Sequence, residues 1–206
     1  IAAANAAHGI EVTLSDTSDE ALAAATSELS VDFGDGAVRA SQRPEELAEA
    51  DIVIEAVIER LPVKQRIFKK LEPLAGDQTI LASNTSSIPI TQLAAKLAQP
   101  ERFVGLHFCH PVAERPLLEI VRGERTSDDT IARAVDYAAR IGKRPVVVRD
   151  SPGFVVNRLL TPYLNEALEL LLEGATIEDV DAAAVAFGMP VGPLAASDAI
   201  GIGVAL

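Results

Sequence analysis

Asp51-Ile-Val-Ile-Glu-Ala-Val57 decides how the chain is read. The run is apolar almost throughout, rich in β-branched side chains, and too short for a helix buried on every side. It reads as a strand covered on both faces, the kind found inside a parallel sheet. Working toward the amino end, Pro44 to Ala50 reads as a short helix opening on proline, and Ala37 to Ala40 as a short strand. Residues 18–29 read as a helix, Glu11 to Ser15 as a strand, and residues 1–8 as an alanine-rich helix stopped by Gly9. Toward the carboxyl end, Pro62 to Leu74 is helical and Thr79 to Ser83 is a second buried strand. The loop Asn84-Thr-Ser-Ser87 then leads into a helix ending near Leu97. Arg102 to Phe108, Leu117 to Val121 and Pro145 to Arg149 read as strands, with a helix over Asp128 to Ile141.

Strands separated by helices predict an α/β, Rossmann-type doubly wound parallel sheet over residues 1–149. The character changes at Asp150-Ser-Pro-Gly153, a natural boundary. Beyond it only helical patterns remain: Phe154 to Glu173, Ile177 to Phe187, and a start near Ala195. Residues 150–206 are therefore expected to be a second, all-α domain.

Bulk composition narrows the function classes. The chain has 206 residues, 49% hydrophobic and 23% charged, which supplies a packed core and argues against wholesale disorder. A net charge of −12 argues against non-specific nucleic-acid binding and against docking on anionic membranes. No apolar run approaches the roughly 20 residues needed to span a bilayer. No signal-peptide pattern is present. The single cysteine, Cys109, excludes an intrachain disulfide and suits a reducing cytoplasm.

In a doubly wound sheet the acidic residue closing the second strand commonly hydrogen-bonds the adenosine ribose. Asp16 holds that position, and a carboxylate there would repel a 2′-phosphate, favouring NAD over NADP. The competing reading is a cap for the next helix. No G-x-G-x-x-G loop is found. Ile1 already reads as lying inside the first helix, so the first strand and its phosphate loop are expected to be missing from this chain. The fragment alone is then expected to bind NAD poorly.

His107 and Glu119 flank Pro111-Val-Ala-Glu-Arg-Pro116, a connection between strands. In an antiparallel hairpin, paired residues lie symmetrically about the turn, and the midpoint of this pair is Ala113. The two side chains would face each other with Cβ atoms about 5 Å apart. A carboxylate beside an imidazole fixes its tautomer and orients its ring, as a base that takes a hydroxyl proton requires. The competing reading is a half-buried histidine near an unrelated strand glutamate.

Five segments tip the balance. Ile54-Glu-Ala-Val-Ile-Glu59, Ser83-Asn-Thr-Ser-Ser-Ile-Pro-Ile-Thr91, Gly105-Leu-His-Phe-Cys-His-Pro-Val112, Asp150-Ser-Pro-Gly-Phe-Val-Val-Asn-Arg158 and Phe187-Gly-Met-Pro-Val-Gly-Pro193 run in one order across nearly the whole chain. As a set they resemble the 3-hydroxyacyl-CoA dehydrogenases, most closely the 3-hydroxybutyryl-CoA type. The resemblance implies NAD-dependent oxidation of the 3-hydroxyl of an acyl thioester to the 3-oxoacyl thioester. It implies His107 as the base, Glu119 as its paired carboxylate, and Ser86 and Asn157 as residues that hold the reacting oxygen. It implies Glu59, Lys64 and Asn84 near the nicotinamide end of the cofactor. Read without it, Ser86 is a helix cap, Asn157 a buried amide, and Glu59 and Lys64 surface charges. It also implies a homodimer formed through the helical domain, which is expected to continue past Leu206.

The chain departs from the family pattern twice. His110 stands where the family usually has asparagine, and the stretch from Ser18 to Ala37 is shorter than the helical arm that grips CoA. The short Asp32-Phe-Gly-Asp-Gly36 turn opens an alternative: a dehydrogenase of hydroxyacyl groups on an acyl carrier protein, as in polyketide extender-unit synthesis. Arg39, Arg115, Arg122 and Arg125 are then candidate docking residues. A further alternative is a non-catalytic structural or nucleotide-sensing relative.

Overall fold

The computed structural model describes residues 1–34, 37–43, 46 and 49–200. The chain divides into two compact units, Ile1–Phe154 and Val155–Leu206.

The first unit is a Rossmann-like α/β domain. Its main sheet has five strands in the order β3 (Ile52–Glu55), β4 (Ile80–Ser83), β5 (Phe103–Phe108), β6 (Leu117–Arg122) and β7 (Arg144–Arg149). All pairings are parallel except β5 with β6, which is the hairpin expected from the sequence. A separate parallel pair joins β1 (Val12–Leu14) to β2 (Val38–Ala40). Among the described residues, β1 and β3 have no further strand on their other edges. The helices of this unit are α1 (Ala2–Ala6), α2 (Asp19–Phe33), α3 (Leu61–Leu71), α4 (Ile90–Ala94) and α5 (Asp128–Arg140).

The central strands β4, β5 and β6 are apolar on both faces because both faces are covered. Ile80, Ala82, Val104, Leu106, Leu118 and Ile120 meet Ile131, Ala134 and Ala138 of α5. Leu81, Phe103 and Val121 turn the other way, onto Phe68 of α3 and Ile90 and Leu93 of α4. Phe68 and Phe103 pack edge to face at 4.6 Å between centroids, worth about 0.5–1.5 kcal/mol beyond area burial.

Several element ends differ from the expected ones. The strand expected to reach Val57 stops at Glu55 because the Glu55 carboxylate accepts the Val57 N–H at 2.6 Å and turns the chain. The helix expected to run to Leu97 covers only Ile90–Ala94. The short helix expected over 44–50 falls largely outside the described residues, as do Asp35 and Gly36 of the expected turn after α2.

Gly105 controls how closely α4 packs on the sheet. A Cβ there would sit 2.6 Å from Ile90 Cδ1 and 2.8 Å from Val121 Cβ. Gly105→Ala should therefore cost about 1–3 kcal/mol by overpacking. The measurement is the urea midpoint, and an unchanged midpoint would show that Ile90 yields freely.

The second unit is helical: α6 (Val156–Leu172), α7 (Ile177–Phe187) and α8 (Pro193–Ile200). Its small core joins Ala167, Val180 and Leu194. The Asp181 carboxylate accepts the Leu194 and Ala195 N–H groups at 2.9 and 3.1 Å and so caps the start of α8. Thr176 caps α7 by accepting the Asp179 N–H. Among the described residues no helix is long and apolar enough to cross a membrane.

Candidate active site

Strand register places His107 opposite Glu119, as the symmetry about Ala113 requires. His107 Nδ1–H donates to Glu119 Oε2 at 2.5 Å, and the carboxylate side chain is 1% exposed. An ionised carboxylate only accepts, so Nδ1 carries the proton and the ring's other nitrogen, Nε2, is left as the basic atom. The Phe154 ring lies 5.7 Å from the imidazole, tilted 57°. The neighbouring Cys109 thiol is pushed up by burial and by the Glu119 charge, only partly offset by Arg115 and Lys143. Cys109 is therefore a poor nucleophile at neutral pH.

A second cluster surrounds the carboxyl ends of β3 and β4. Lys64 is fully buried and donates to Glu55 Oε1 at 2.9 Å, to Glu55 Oε2 and the Asn84 carbonyl at 3.1 Å, and to Glu59 Oε2 at 3.2 Å. Glu55 also accepts the Ser83 hydroxyl at 2.6 Å. Glu59 Oε1 accepts the Thr85 hydroxyl and the N–H groups of Ser86 at 3.1 Å and Ser87 at 3.3 Å. Burial pushes the Glu59 carboxyl up, but the Thr85 hydroxyl, the Lys64 ammonium and the Ser86 N–H outweigh it and hold it below its ordinary value. Asn84 Oδ1 accepts the N–H of Phe108, the residue after His107, at 3.2 Å. The turn that carries Ser86 is thus fastened both to the strand that carries His107 and to a buried cation.

Of the residues singled out in the sequence, His107 and Glu119 form one contact pair. Glu59, Lys64, Asn84 and the Ser86 backbone form one network. Ser86 is exposed and lies upstream of the α4 cap, which is Pro89, so its hydroxyl is not that helix's cap. Asp16 is exposed beyond the end of β1 and accepts the Ser18 N–H at 2.9 Å. The cap of α2 is Ser18 itself, which accepts the Ala21 N–H, so Asp16 is not the cap residue but holds that residue's backbone N–H. Asn157 lies in the first turn of α6, in the second unit. His110 is exposed. Sequence reasoning missed Glu55 and Thr85; the one hint was a lone glutamate closing an otherwise apolar strand, nine positions before a lysine. Among the described residues no group of three or more His, Cys, Asp or Glu is placed to hold a metal ion.

A Rossmann-like sheet carrying a carboxylate-backed imidazole, with a serine turn tied to the same strand, defines a class: a nucleotide-binding domain with a polar cluster at its strand ends. Comparison with known proteins narrows it. A family model described as the NAD-binding domain of 3-hydroxyacyl-CoA dehydrogenase matches residues 1–151, and the corresponding C-terminal domain matches residues 153–206. The chain belongs to the 3-hydroxyacyl-CoA dehydrogenase family. It is 50% identical over 156 residues to a fatty acid oxidation complex subunit alpha of Shewanella amazonensis, covering 76% of this chain and 22% of that protein. The corresponding subunit of Idiomarina loihiensis is 52% identical over 155 residues, covering 75% and 22%. This chain thus spans about a fifth of the length of those curated relatives. Among solved structures, FadB2 of M. tuberculosis superposes with a TM-score of 0.93 at 38% identity, covering 99% of this chain and 79% of that one. The (S)-3-hydroxybutyryl-CoA dehydrogenase PaaH1 of Ralstonia eutropha gives 0.93 at 37% identity, covering 99% and 78%.

Proposed function

We propose that the protein containing this chain oxidises the 3-hydroxyl of a 3-hydroxyacyl-CoA to the 3-oxoacyl thioester. The observation that carries the reading is the 2.5 Å hydrogen bond from His107 Nδ1 to Glu119, which leaves Nε2 as a positioned base. His107 Nε2 takes the hydroxyl proton while the C3–H bond gives up its electron pair as hydride. NAD+, when bound, supplies the hydride acceptor. Glu119 stabilises the imidazolium as it forms, and the Ser86 hydroxyl holds the reacting oxygen.

The residues at the strand ends fit that cofactor. The exposed Asp16 carboxylate suits a ribose diol and opposes a 2′-phosphate. Glu59 and Asn84 would border the nicotinamide end, with Lys64 holding both in place. In this reading the first unit carries the cofactor and the second contributes to substrate binding and dimerisation. We read the working enzyme as a cytoplasmic homodimer. The one cysteine of this chain suits a reducing compartment, and the exposed Leu159, Leu172 and Phe187 of the second unit suit a second copy.

The test is NADH formation by the full-length protein, with 3-hydroxybutyryl-CoA and a carrier-protein-bound hydroxyacyl group as rival substrates and NADP as rival cofactor. The CoA ester with NAD is expected to react fastest. Turnover of the carrier-bound group alone would transfer the proposal to that substrate, and NADH from neither would refute it.

A further inference from the structure

Asp150-Ser-Pro-Gly-Phe154 leaves the end of β7 and closes the first unit, and the proposed mechanism gives it no task. Its two ends are fastened to the two halves of the active site. At one end, Asp150 Oδ1 accepts the Ile90 N–H at 2.9 Å and Oδ2 accepts the Thr91 N–H at 2.7 Å. The backbone of Asp150 is itself tied to the end of β6, its N–H donating to the Arg122 carbonyl at 3.2 Å. Pro89 has no N–H, and the Ile88 N–H is taken by Thr85 Oγ1 at 3.0 Å. The amides of 84, 86 and 87 are taken by Glu55 and Glu59. Asp150 thus accepts the two backbone donors at the end of the stretch that leads from the Ser86 turn into α4.

At the other end the chain reverses sharply. Phe154 holds a left-handed φ of 48°, after Gly153 at 71°. A bulky residue in that region is strained by about 1–3 kcal/mol and persists only where its surroundings impose it. Here the side chain is 1% exposed, packed in the core that contains Ile90, Val121 and Val148, with its ring against His107. The same short segment thus anchors the helix behind Ser86 and walls the imidazole.

We infer that Asp150 and Phe154 are positioning residues: Asp150 fixes the Ser86 turn through the amides of Ile90 and Thr91, and Phe154 fixes the imidazole plane of His107. The kinetic part of this inference rests on the dehydrogenase reading; the structural part does not.

The experiment compares full-length parent, Asp150→Ala, Asp150→Asn and Phe154→Leu by amide exchange, thermal unfolding and steady-state kinetics. In Asp150→Ala, the amides between Asn84 and Thr91 should exchange about five- to tenfold faster, the equivalent of a lost cap. Its kcat should fall about 10–100-fold, as a displaced reacting group requires, with the KM for NAD nearly unchanged. Asp150→Asn keeps one carbonyl acceptor and should fall between parent and Ala, which preserves the test if the Ala variant fails to fold. Phe154→Leu should lower kcat without altering exchange at residues 84–91. Unchanged exchange in both Asp150 variants overturns the assignment whatever the activity. Faster exchange with an unchanged kcat reduces Asp150 to a structural cap and overturns its positioning role. An unchanged kcat in Phe154→Leu overturns the role of the ring. A parent that makes no NADH refutes the dehydrogenase reading, while the exchange data still decide whether Asp150 holds the turn.

Discussion

His107→Gln in the full-length protein is expected to lower kcat by about 10²–10⁴-fold, the usual worth of a positioned general base. Glutamine is close to histidine in size, and its amide can still donate to Glu119, so the strand pair and the buried carboxylate keep a partner. What is lost is the basic nitrogen. Glu119 cannot substitute: its side chain is 1% exposed and its Oε2 is 2.5 Å from His107 Nδ1, on the far side of the ring from the proposed substrate oxygen. Because the pair lies on the hairpin of β5 and β6, away from Asp16 at the end of β1, NAD affinity should be nearly unchanged. Each tenfold loss of rate corresponds to about 1.4 kcal/mol of transition-state stabilisation. Steady-state kinetics with NAD titrated at saturating hydroxyacyl thioester separates the two quantities. A variant with undiminished kcat would remove His107 from the mechanism; one with normal kcat but weakened NAD binding would reassign it to the cofactor site.

The parts of this molecule legible in its sequence are those with a period or a symmetry. Two-sided burial made β4 readable as an apolar run, whereas β3 lies at the edge of its sheet with Ile52, Val53 and Ile54 only half-buried. Symmetry about Ala113 offered the register of His107 against Glu119, and the family resemblance decided for it. Boundaries were less legible, because short-range bonds that leave no period in the sequence move them. Glu55 ends its own strand by catching the Val57 N–H, and α4 is shorter than its apolar pattern. The least legible feature was the role of Lys64. As a charged residue at a helix start it read as a surface group or a cofactor contact. The structure places it at 0% exposure with two carboxylates and a carbonyl around its ammonium. No local pattern announces that arrangement, since its partners come from β3, from the loop after β3 and from the end of β4. Asp150 was hidden in the same way: its bonds span 60 and 59 positions of chain.

Lys64→Met should destabilise the first unit by about 3–5 kcal/mol, the cost of breaking a buried ion pair from one side. Methionine keeps the unbranched stem, so packing changes little. The charge does not survive, and the Glu55 carboxylate, 1% exposed, keeps the Val57 N–H and the Ser83 hydroxyl but loses its cation. Urea unfolding should show a lower midpoint at an unchanged slope, as expected when stability falls without a change in the surface exposed. A loss below about 1 kcal/mol would mean that Glu55 neutralises itself or that water reaches it. The double variant Glu55→Gln/Lys64→Met removes both charges and should recover much of the stability, because a buried pair is often replaceable by uncharged groups of similar shape. Activity should not recover with it. Lys64 also holds Glu59 Oε2, and Glu59 Oε1 gathers the Thr85 hydroxyl and the Ser86 and Ser87 amides. Without the ammonium, the carboxylate that gathers the Ser86 turn loses its anchor on the sheet. A double variant that regains both stability and full turnover would show that the buried cation serves the fold alone; one that regains stability only would tie it to the placement of the serine.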